Sequence, residues 1–283
     1  MLAGGADMAG KKVCGVGCLG VALVWAASVQ AAWLEVKLAY DDFGHLENEG
    51  PKCVPTATVN SFFYLQKKYP TIYDQKLIPG GDMVKARNAL FGYMNGDDVL
   101  GVRTFKDWWE GKVKWMEEKA PGLTIYDGMV NDDITGWTRG SVLEKGFPTF
   151  DFLWKELSDG EDVEFRIVLT GGGHALTLTS LKFDDLDGDK KWDWDPDPKK
   201  RESAKIDYLD PNKPTQLFET DLWKNADGSL GFLWDNTVNP AVNVYVNLAY
   251  SESPIPEPAS LIVWSLLGAI GVTAGYWRRR RAA

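Results

Sequence analysis

The sequence predicts an α+β domain in which an N-terminal helical half packs on a curled antiparallel β-sheet. In the first half of the chain, apolar side chains recur near helical spacing. In the second half, short runs rich in β-branched and aromatic residues alternate with turn residues. Helices followed by strands are typical of α+β domains. Residues 32–250 have the length of one domain and contain no internal repeat.

Four helices are predicted in the first half of this domain. The first, over 54–68, carries Pro55 in its first turn, where a missing backbone N–H is tolerated, and it ends before Pro70. Cys53 is therefore expected at a helix N-terminus. The other helices are expected at 81–93, 104–118 and 149–157.

Strands are predicted from residue 163 onward, where β-branched and aromatic residues lie between turn signals. Three glycines, Gly171–Gly173, come directly before His174; they permit close backbone approach and leave space beside its ring. The five predicted strands are 163–169, 174–182, 205–210, 231–234 and 242–249.

Residues 1–31 have the layout of a secretory signal peptide. Two lysines precede an apolar stretch over 13–27, and small residues follow up to Ala31, where cleavage is expected. Cys14 and Cys18 lie inside the segment and are expected to leave with it; the alternative is a lipoprotein cysteine at Cys18. The mature protein is therefore expected outside the cytoplasm.

The C-terminal segment predicts a membrane anchor. A linker over 251–259 leads into an uncharged, mostly apolar helix over 260–277, and a basic tail over 278–283 follows. Eighteen helical residues span roughly 27 Å, close to the hydrocarbon thickness of a bilayer. The arginines of the tail are expected to stay in the cytoplasm, so the body of the chain would lie on the other side of the membrane.

Within the linker, Pro256, Glu257 and Pro258 stand directly before the apolar helix. Together with the terminal arginine cluster, they resemble the PEP-CTERM sorting signal of Gram-negative bacteria. That resemblance implies an exosortase as a partner, which cuts the tail and releases the protein to the envelope, the cell surface or an exopolysaccharide matrix. The alternative is an ordinary tail anchor.

The charge of the body excludes some partners. The chain has a formal charge of −9, and removing Asp7 with the six basic residues of the two ends takes it to −14. Such a surface repels nucleic acid and anionic lipid, so neither is an expected partner, although it could hold calcium.

Cys53 and His174 form the main candidate site. Once the signal peptide is gone, Cys53 is the only cysteine, and exported proteins normally pair theirs. A lone thiol therefore either binds another chain or is kept for chemistry. A helix N-terminus and a nearby imidazolium both favour a thiolate. We therefore expect Cys53 as nucleophile and His174 as general base and later general acid.

A carboxylate should orient the imidazole, and two are available near the end of one strand. Asp207 shares a side of that strand with Leu209, whereas Asp210 lies on the other side, at the strand end before Pro211. We choose Asp210; the alternative role for it is a turn aspartate before proline.

At these residues the body resembles papain-like cysteine peptidases, in particular the branch of bacteriocin-leader peptidases and immunoglobulin-degrading endopeptidases. The segments that carry the resemblance are Cys53 with Thr56–Asn60, Leu157–Gly160 before the strand at 163, Gly173-His174, and Leu209-Asp210-Pro211. The resemblance implies the papain-like fold and hydrolysis of peptide or protein substrates through a thioester, with no cofactor required for catalysis.

Two departures from that family concern the oxyanion. Val54 stands where members usually have Gly, and no Gln or Lys occupies 42–51 as the upstream donor. Asn48 or His45 could substitute, together with the Cys53 backbone N–H. The alternative function, which these departures favour, is a non-catalytic envelope or matrix protein on a papain-like frame that binds peptide or glycan. Tryptophans elsewhere could stack on sugars, but we assign them to the core.

An acidic segment between His174 and Asp210 resembles the start of a calcium loop. Carboxylates stand at loop positions 1, 3, 5 and 9, supplied by Asp185, Asp187, Asp189 and Asp193. Lys190 replaces the usual Gly at position 6, and Pro196 replaces the Glu at position 12. A structural calcium ion is one expectation for this segment; a solvated acidic hairpin tip is the other.

Overall fold

The structure is a computed structural model that describes residues 32–137, 142–234 and 241–255. Its helices are α1 (Cys53–Lys68), α2 (Pro70–Tyr73), α3 (Met83–Tyr93), α4 (Phe105–Lys119) and α5 (Phe150–Asp159). Its strands are β1 (Ala32–Lys37), β2 (Thr124–Val130), β3 (Val142–Lys145), β4 (Asp162–Leu169), β5 (Gly172–Asp185), β6 (Ala204–Leu209), β7 (Leu217–Lys224), β8 (Leu230–Trp234) and β9 (Val242–Pro254).

Six of these strands form a closed antiparallel ring. Hydrogen bonds join β4 to β5, and then β5, β6, β7, β8 and β9 in order; β9 pairs back onto β4. β5 and β9 have 14 and 13 residues, long enough for each to pair with strands outside the ring as well. β1 extends the sheet from β5, and β2 with its parallel partner β3 extends it from β9.

The predicted fold class is therefore wrong in its architecture. A papain-like fold with a curled sheet was expected, whereas pairing of β4 with both β5 and β9 closes the sheet. Register shifts between Arg166 and Ile167 and between Leu178 and Ser180 accompany the closure, since such irregularities bend a strand and increase its twist. β9 also continues to Pro254, so residues 251–254 belong to a strand and not to a linker.

Several expectations fall on residues that the structure does not describe. These are the signal peptide at 1–31, the motif Pro256, Glu257 and Pro258, the apolar helix at 260–277 and the basic tail at 278–283. Among the helices of the described residues, none combines the length and the apolar character that a bilayer crossing requires.

The helix ends follow local chemistry. Thr104 caps α4 by accepting a hydrogen bond from the Asp107 N–H at 3.0 Å, and Thr149 caps α5 by accepting from the Phe152 N–H at 3.1 Å. Gly160 ends α5 in the left-handed region, at φ 78°, where a side chain would be strained. The four predicted helices are all present, with starts within two residues of those expected.

Helix α1 is buried along most of its length between the sheet and the other helices. It packs on β5 and β4 on one side and on α2 and α3 on the other. The hydroxyl of Thr58 accepts a hydrogen bond from Trp108 Nε1 at 3.2 Å, which ties α1 to α4. The position of Cys53 at the start of α1 is therefore fixed by packing along the helix.

A fully buried ion cluster joins α4 to the seam that closes the ring. Lys112 of α4 donates to Glu164 of β4 and forms an ion pair with Glu252 of β9, and all three side chains are 0% exposed. Asp162 lies beside them, and its carboxylate has no hydrogen-bond partner among the described residues. Burial raises the pKa of Asp162 and of Glu252, and the neighbouring carboxylates raise both further.

Candidate active site

Cys53 is the first residue of α1, and the local sequence leaves donors free beside it. Lys52, at the N-cap, provides no side-chain hydrogen bond, and Pro55, in the first turn, has no N–H. In the described part of the chain, the Cys53 N–H has no carbonyl or side-chain partner. The Val54 N–H points to the Cys53 sulfur. Cys53 is a free cysteine and half-buried as a residue.

The structure brings Cys53, His174 and Asp210 together from three distant segments. His174 is the third residue of β5, and its ring forms a hydrogen bond with the Cys53 sulfur. The Ala175 N–H also donates to that sulfur. His174 Nε2 lies 2.8 Å from Asp210 Oδ1, and both side chains are nearly completely buried. Asp210 directly follows β6, which pairs with β5.

Asp210 is held in place from two further directions. Its Oδ1 accepts a hydrogen bond from the Asn212 N–H at 2.8 Å, and its Oδ2 accepts from Trp234 Nε1 at 3.1 Å. Burial raises the pKa of Asp210, but the hydrogen bonds and the charge of His174 outweigh burial, so the pKa is lowered. Asp207, the alternative carboxylate, lies 3.9 Å from Lys37 and does not contact His174.

The surroundings favour a thiolate and an imidazolium. Burial raises the pKa of the Cys53 thiol, but the hydrogen bond and charge of His174, with the two backbone N–H groups, lower it overall. Burial lowers the pKa of His174, but its hydrogen bonds to Asp210 and Cys53 and the charges of both raise it to about 10. The two groups share one proton and titrate as a pair.

The two predicted oxyanion donors are not aimed at the sulfur. Asn48 uses its amide N–H groups on the Gly50 carbonyl and on Asn212 Oδ1, each at 3.0 Å. His45 lies 2.6 Å from the Pro214 carbonyl through Nδ1 and packs against Tyr40. Neither contacts Cys53 in the described residues. Asn48 does support the site indirectly, because Asn212 Nδ2 lies 3.3 Å from His174 Nε2.

Sequence reasoning missed three residues of the site. Asn212 and Trp234 hold Asp210, and the Trp234 ring also packs against His174 with centroids 5.5 Å apart. Arg166 of β4 lies beside the site through its pairing with Ala175. The run Asp210-Pro211-Asn212 is a turn signal that could have pointed to Asn212. No pattern in the sequence pointed to Trp234 or Arg166.

The acidic loop brings together three of the four predicted calcium ligands. Oxygens of Asp185, Asp187 and Asp189 lie within 4.8 Å of one another. Lys190, where the calcium loop usually has Gly, adopts φ 64°, the left-handed conformation of a sharp turn. Asp193 lies outside this group of three, and its backbone N–H donates to Glu202 Oε2 at 2.8 Å.

Two other carboxylate groups could also hold a metal ion. One is Asp162, Glu164 and Glu252, already paired with Lys112; the other is Asp127, Glu156 and Glu161. In the second group, burial, with the hydrogen bond and charge of Glu156, raises the pKa of Glu161 to about 8.

Comparison with known proteins adds no assignment to this geometry. No protein-family model matches the chain, and no curated protein matches it.

Proposed function

We propose that this protein is an exported cysteine peptidase that hydrolyses peptide bonds through a thioester. Cys53 is the nucleophile, His174 is the general base and acid, and Asp210 orients the imidazole. The observation that carries the proposal is the hydrogen-bonded row of sulfur, imidazole and carboxylate, assembled from α1, β5 and the segment after β6.

The reaction proceeds in two halves. The Cys53 thiolate attacks the carbonyl carbon of the peptide bond, and the resulting oxyanion accepts a hydrogen bond from the Cys53 backbone N–H at the start of α1. The imidazolium of His174 gives its proton to the leaving nitrogen as the C–N bond breaks, which releases an amine and leaves a thioester. Water then loses a proton to His174 and attacks the thioester, and the C–S bond breaks to restore the ion pair.

The absence of a side-chain oxyanion donor among the described contacts sets an expectation for the rate. Loss of one such donor typically costs about 100- to 1,000-fold. The Cys53 N–H remains as a donor, because the Val54 N–H points to the sulfur and Pro55 has no N–H. We therefore propose a slow peptidase with no cofactor in the chemical steps.

The sorting expectations remain proposals. The terminal features at 1–31 and 256–283 support export across the cytoplasmic membrane and anchoring through the helix at 260–277. They also support an exosortase as the partner that releases the body to the envelope, surface or matrix. Calcium bound by Asp185, Asp187 and Asp189 would stabilise the acidic loop and take no part in the reaction.

The proposal is tested by incubating the purified chain with a peptide library and identifying new termini by mass spectrometry. Cleavage is expected for the wild-type chain and for Asp207→Asn. Asp207→Asn is the matched control for Asp210→Asn, because Asp207 lies on the same strand pair but contacts Lys37. No cleavage is expected for Cys53→Ala. Cleavage by Cys53→Ala equal to that of the wild-type chain would refute the role of the thiol.

A second candidate function has its own observation. A cavity of about 510 Å³ lies at the end of the ring opposite Cys53, between the segment before α5, the acidic loop and the β7–β8 turn. Aromatic rings and carboxylates line it, among them Phe147, Phe150, Trp192, Trp194, Asp151 and Asp227. This cavity favours a non-catalytic protein that binds peptide or glycan. Such binding should survive Cys53→Ala and be lost in Trp194→Ala, measured by calorimetry.

A further inference from the structure

Arg166 places a positive charge beside the nucleophile. It lies on β4 directly opposite Ala175, whose N–H donates to the Cys53 sulfur. Its side chain lies across Gly173, the residue before His174: a Cβ at Gly173 would come within 2.1 Å of Arg166 Cζ. Gly173 therefore makes room for the guanidinium at the rim of the site.

The guanidinium has no acidic partner in the described residues. Its neighbours are Asn247 Oδ1, which accepts from Nη1 at 3.3 Å, and the ring of Phe105, whose centroid is 5.0 Å from Cζ. Arg103 and Arg87, by contrast, form ion pairs with Asp97 and Glu49. A half-buried cation without a carboxylate is unusual in a body with a formal charge of −14, because desolvation of a charge is costly without a partner.

Electrostatics agrees with this geometry. Burial lowers the pKa of Arg166, and the negative charge of the Cys53 thiolate opposes that change. The guanidinium presents several N–H donors in a planar fork, and among the described residues Asn247 Oδ1 is the one hydrogen-bond acceptor for them. The Phe105 ring packs against the guanidinium, and Gly171 and Gly172, just before Gly173, have open space where a Cβ would stand.

We propose that Arg166 is a carboxylate-binding subsite, so that substrates of Cys53 carry a carboxylate next to the bond that is cut. Arginine suits this ligand because its fork matches a carboxylate with two parallel hydrogen bonds. The carboxylate can belong to an acidic side chain or to a free C-terminus, since the two present the same chemistry. As a statement about substrates, this inference rests on the proposed peptidase function.

The first test measures alkylation of Cys53 in the full chain, by mass spectrometry of the peptide that contains it, with iodoacetate and with iodoacetamide. Both reagents react with the thiolate, so the ratio of their rates cancels any change in the pKa of the thiol. Iodoacetate carries a carboxylate and iodoacetamide does not. In Arg166→Gln the rate with iodoacetate divided by the rate with iodoacetamide is expected to fall roughly tenfold or more, because losing a hydrogen bond to a charged group typically changes an equilibrium by that factor.

Matched variants separate this effect from general loss of charge or of folding. Arg201→Gln removes the same charge beside Trp194, at the other end of the ring, and should leave the ratio unchanged. Arg166→Lys keeps the charge without the fork and should retain part of the preference. A folded Arg166→Gln chain with the wild-type ratio would overturn the proposal.

Protection experiments identify the source of the carboxylate. An acetylated, amidated peptide that contains Glu and a neutral peptide with a free C-terminus are each tested for protection of Cys53 against iodoacetamide, beside their Gln and amide counterparts. Protection by a carboxylate peptide but not by its neutral counterpart supports the subsite and names the source; equal protection by both overturns it. If Arg166→Gln lowers the ratio of the iodoacetate rate to the iodoacetamide rate but the wild-type chain cleaves no peptide, the carboxylate subsite is supported and only the hydrolytic function is refuted.

Discussion

The contact between Asp210 and His174 allows a quantitative prediction for Asp210→Asn. The carboxylate accepts from His174 and from the Asn212 N–H through Oδ1, and from Trp234 Nε1 through Oδ2. An asparagine has only one oxygen. If that oxygen faces His174 and Asn212, its NH₂ group faces the Trp234 N–H, and a buried donor loses its acceptor. If the amide flips, two donors lose theirs.

The expected effect is a fall in the pKa of His174. Hydrogen bonds to charged groups contribute about 1.5–3 kcal/mol, and 1.4 kcal/mol corresponds to about one pKa unit. Asp210 stabilises the imidazolium and helps to raise the pKa of His174 to about 10. Its loss should therefore lower that pKa by about one to two units.

The assay is the pH titration of the His174 ring followed by NMR, which needs no peptidase activity. Asp207→Asn is the control, because its carboxylate lies near Lys37 and away from His174. A pKa of His174 that is unchanged in folded Asp210→Asn would show that Asp210 does not stabilise the imidazolium, and the proposed orienting role would then fail.

Four further predictions concern the site and the charged clusters. Trp234→Phe leaves the buried Asp210 Oδ2 without its donor and should lower the free energy of unfolding in urea by about 1–3 kcal/mol. Peptide hydrolysis should fall as the pH rises through about 10, the pKa of His174, while alkylation continues, because only hydrolysis needs the imidazolium as an acid. Lys112→Met leaves buried carboxylates without their cation and should lower the free energy of unfolding in urea by about 3–5 kcal/mol. The pKa of Glu161 is raised to about 8, so its stabilising contribution is lost as the pH rises through that value; Glu161→Gln should therefore gain thermal stability over the wild-type chain between pH 5 and pH 9.

Two control variants accompany these predictions. Trp223→Phe removes an indole that binds Asn225 at the other end of the ring, and it should cost less stability than Trp234→Phe. Lys106→Met breaks an exposed pair with Glu110 and should cost less than about 1 kcal/mol. Three results would contradict the reasoning. The first is an unchanged urea midpoint for Lys112→Met, and the second is a melting temperature of Glu161→Gln that depends on pH in the same way as that of the wild-type chain. The third is a loss of hydrolysis and of alkylation at the same alkaline pH.

The helices could be predicted because their signals are local. Thr104 and Thr149 cap the helices that follow them, and Gly160 ends α5, so short stretches of sequence carry the information. Strand β7 was missed because Glu219 and Asp221 alternate with its inward-facing residues and give it the composition of a polar loop. Closure of the ring was missed because it depends on which distant strand meets the edge of β4, and side-chain alternation does not encode that choice.

The candidate site divides in the same way. Cys53 and His174 were identifiable because the body has few residues of either type, and strand alternation separated Asp210 from Asp207. The neighbours of these residues were not identifiable. Arg166 reaches the site through cross-strand pairing, and Trp234 arrives at Asp210 from a strand two places away in the ring. Only three-dimensional register brings such residues together.

The buried cluster at Lys112 has a consequence for how the molecule opens. Its acidic members lie on both strands of the β4–β9 seam, and one ammonium cannot balance them all, so protons must be held inside when the seam is shut. Parting the seam would hydrate these groups together and release those protons to the solvent. Separation of β4 from β9 should therefore be cooperative and easier in alkaline solution.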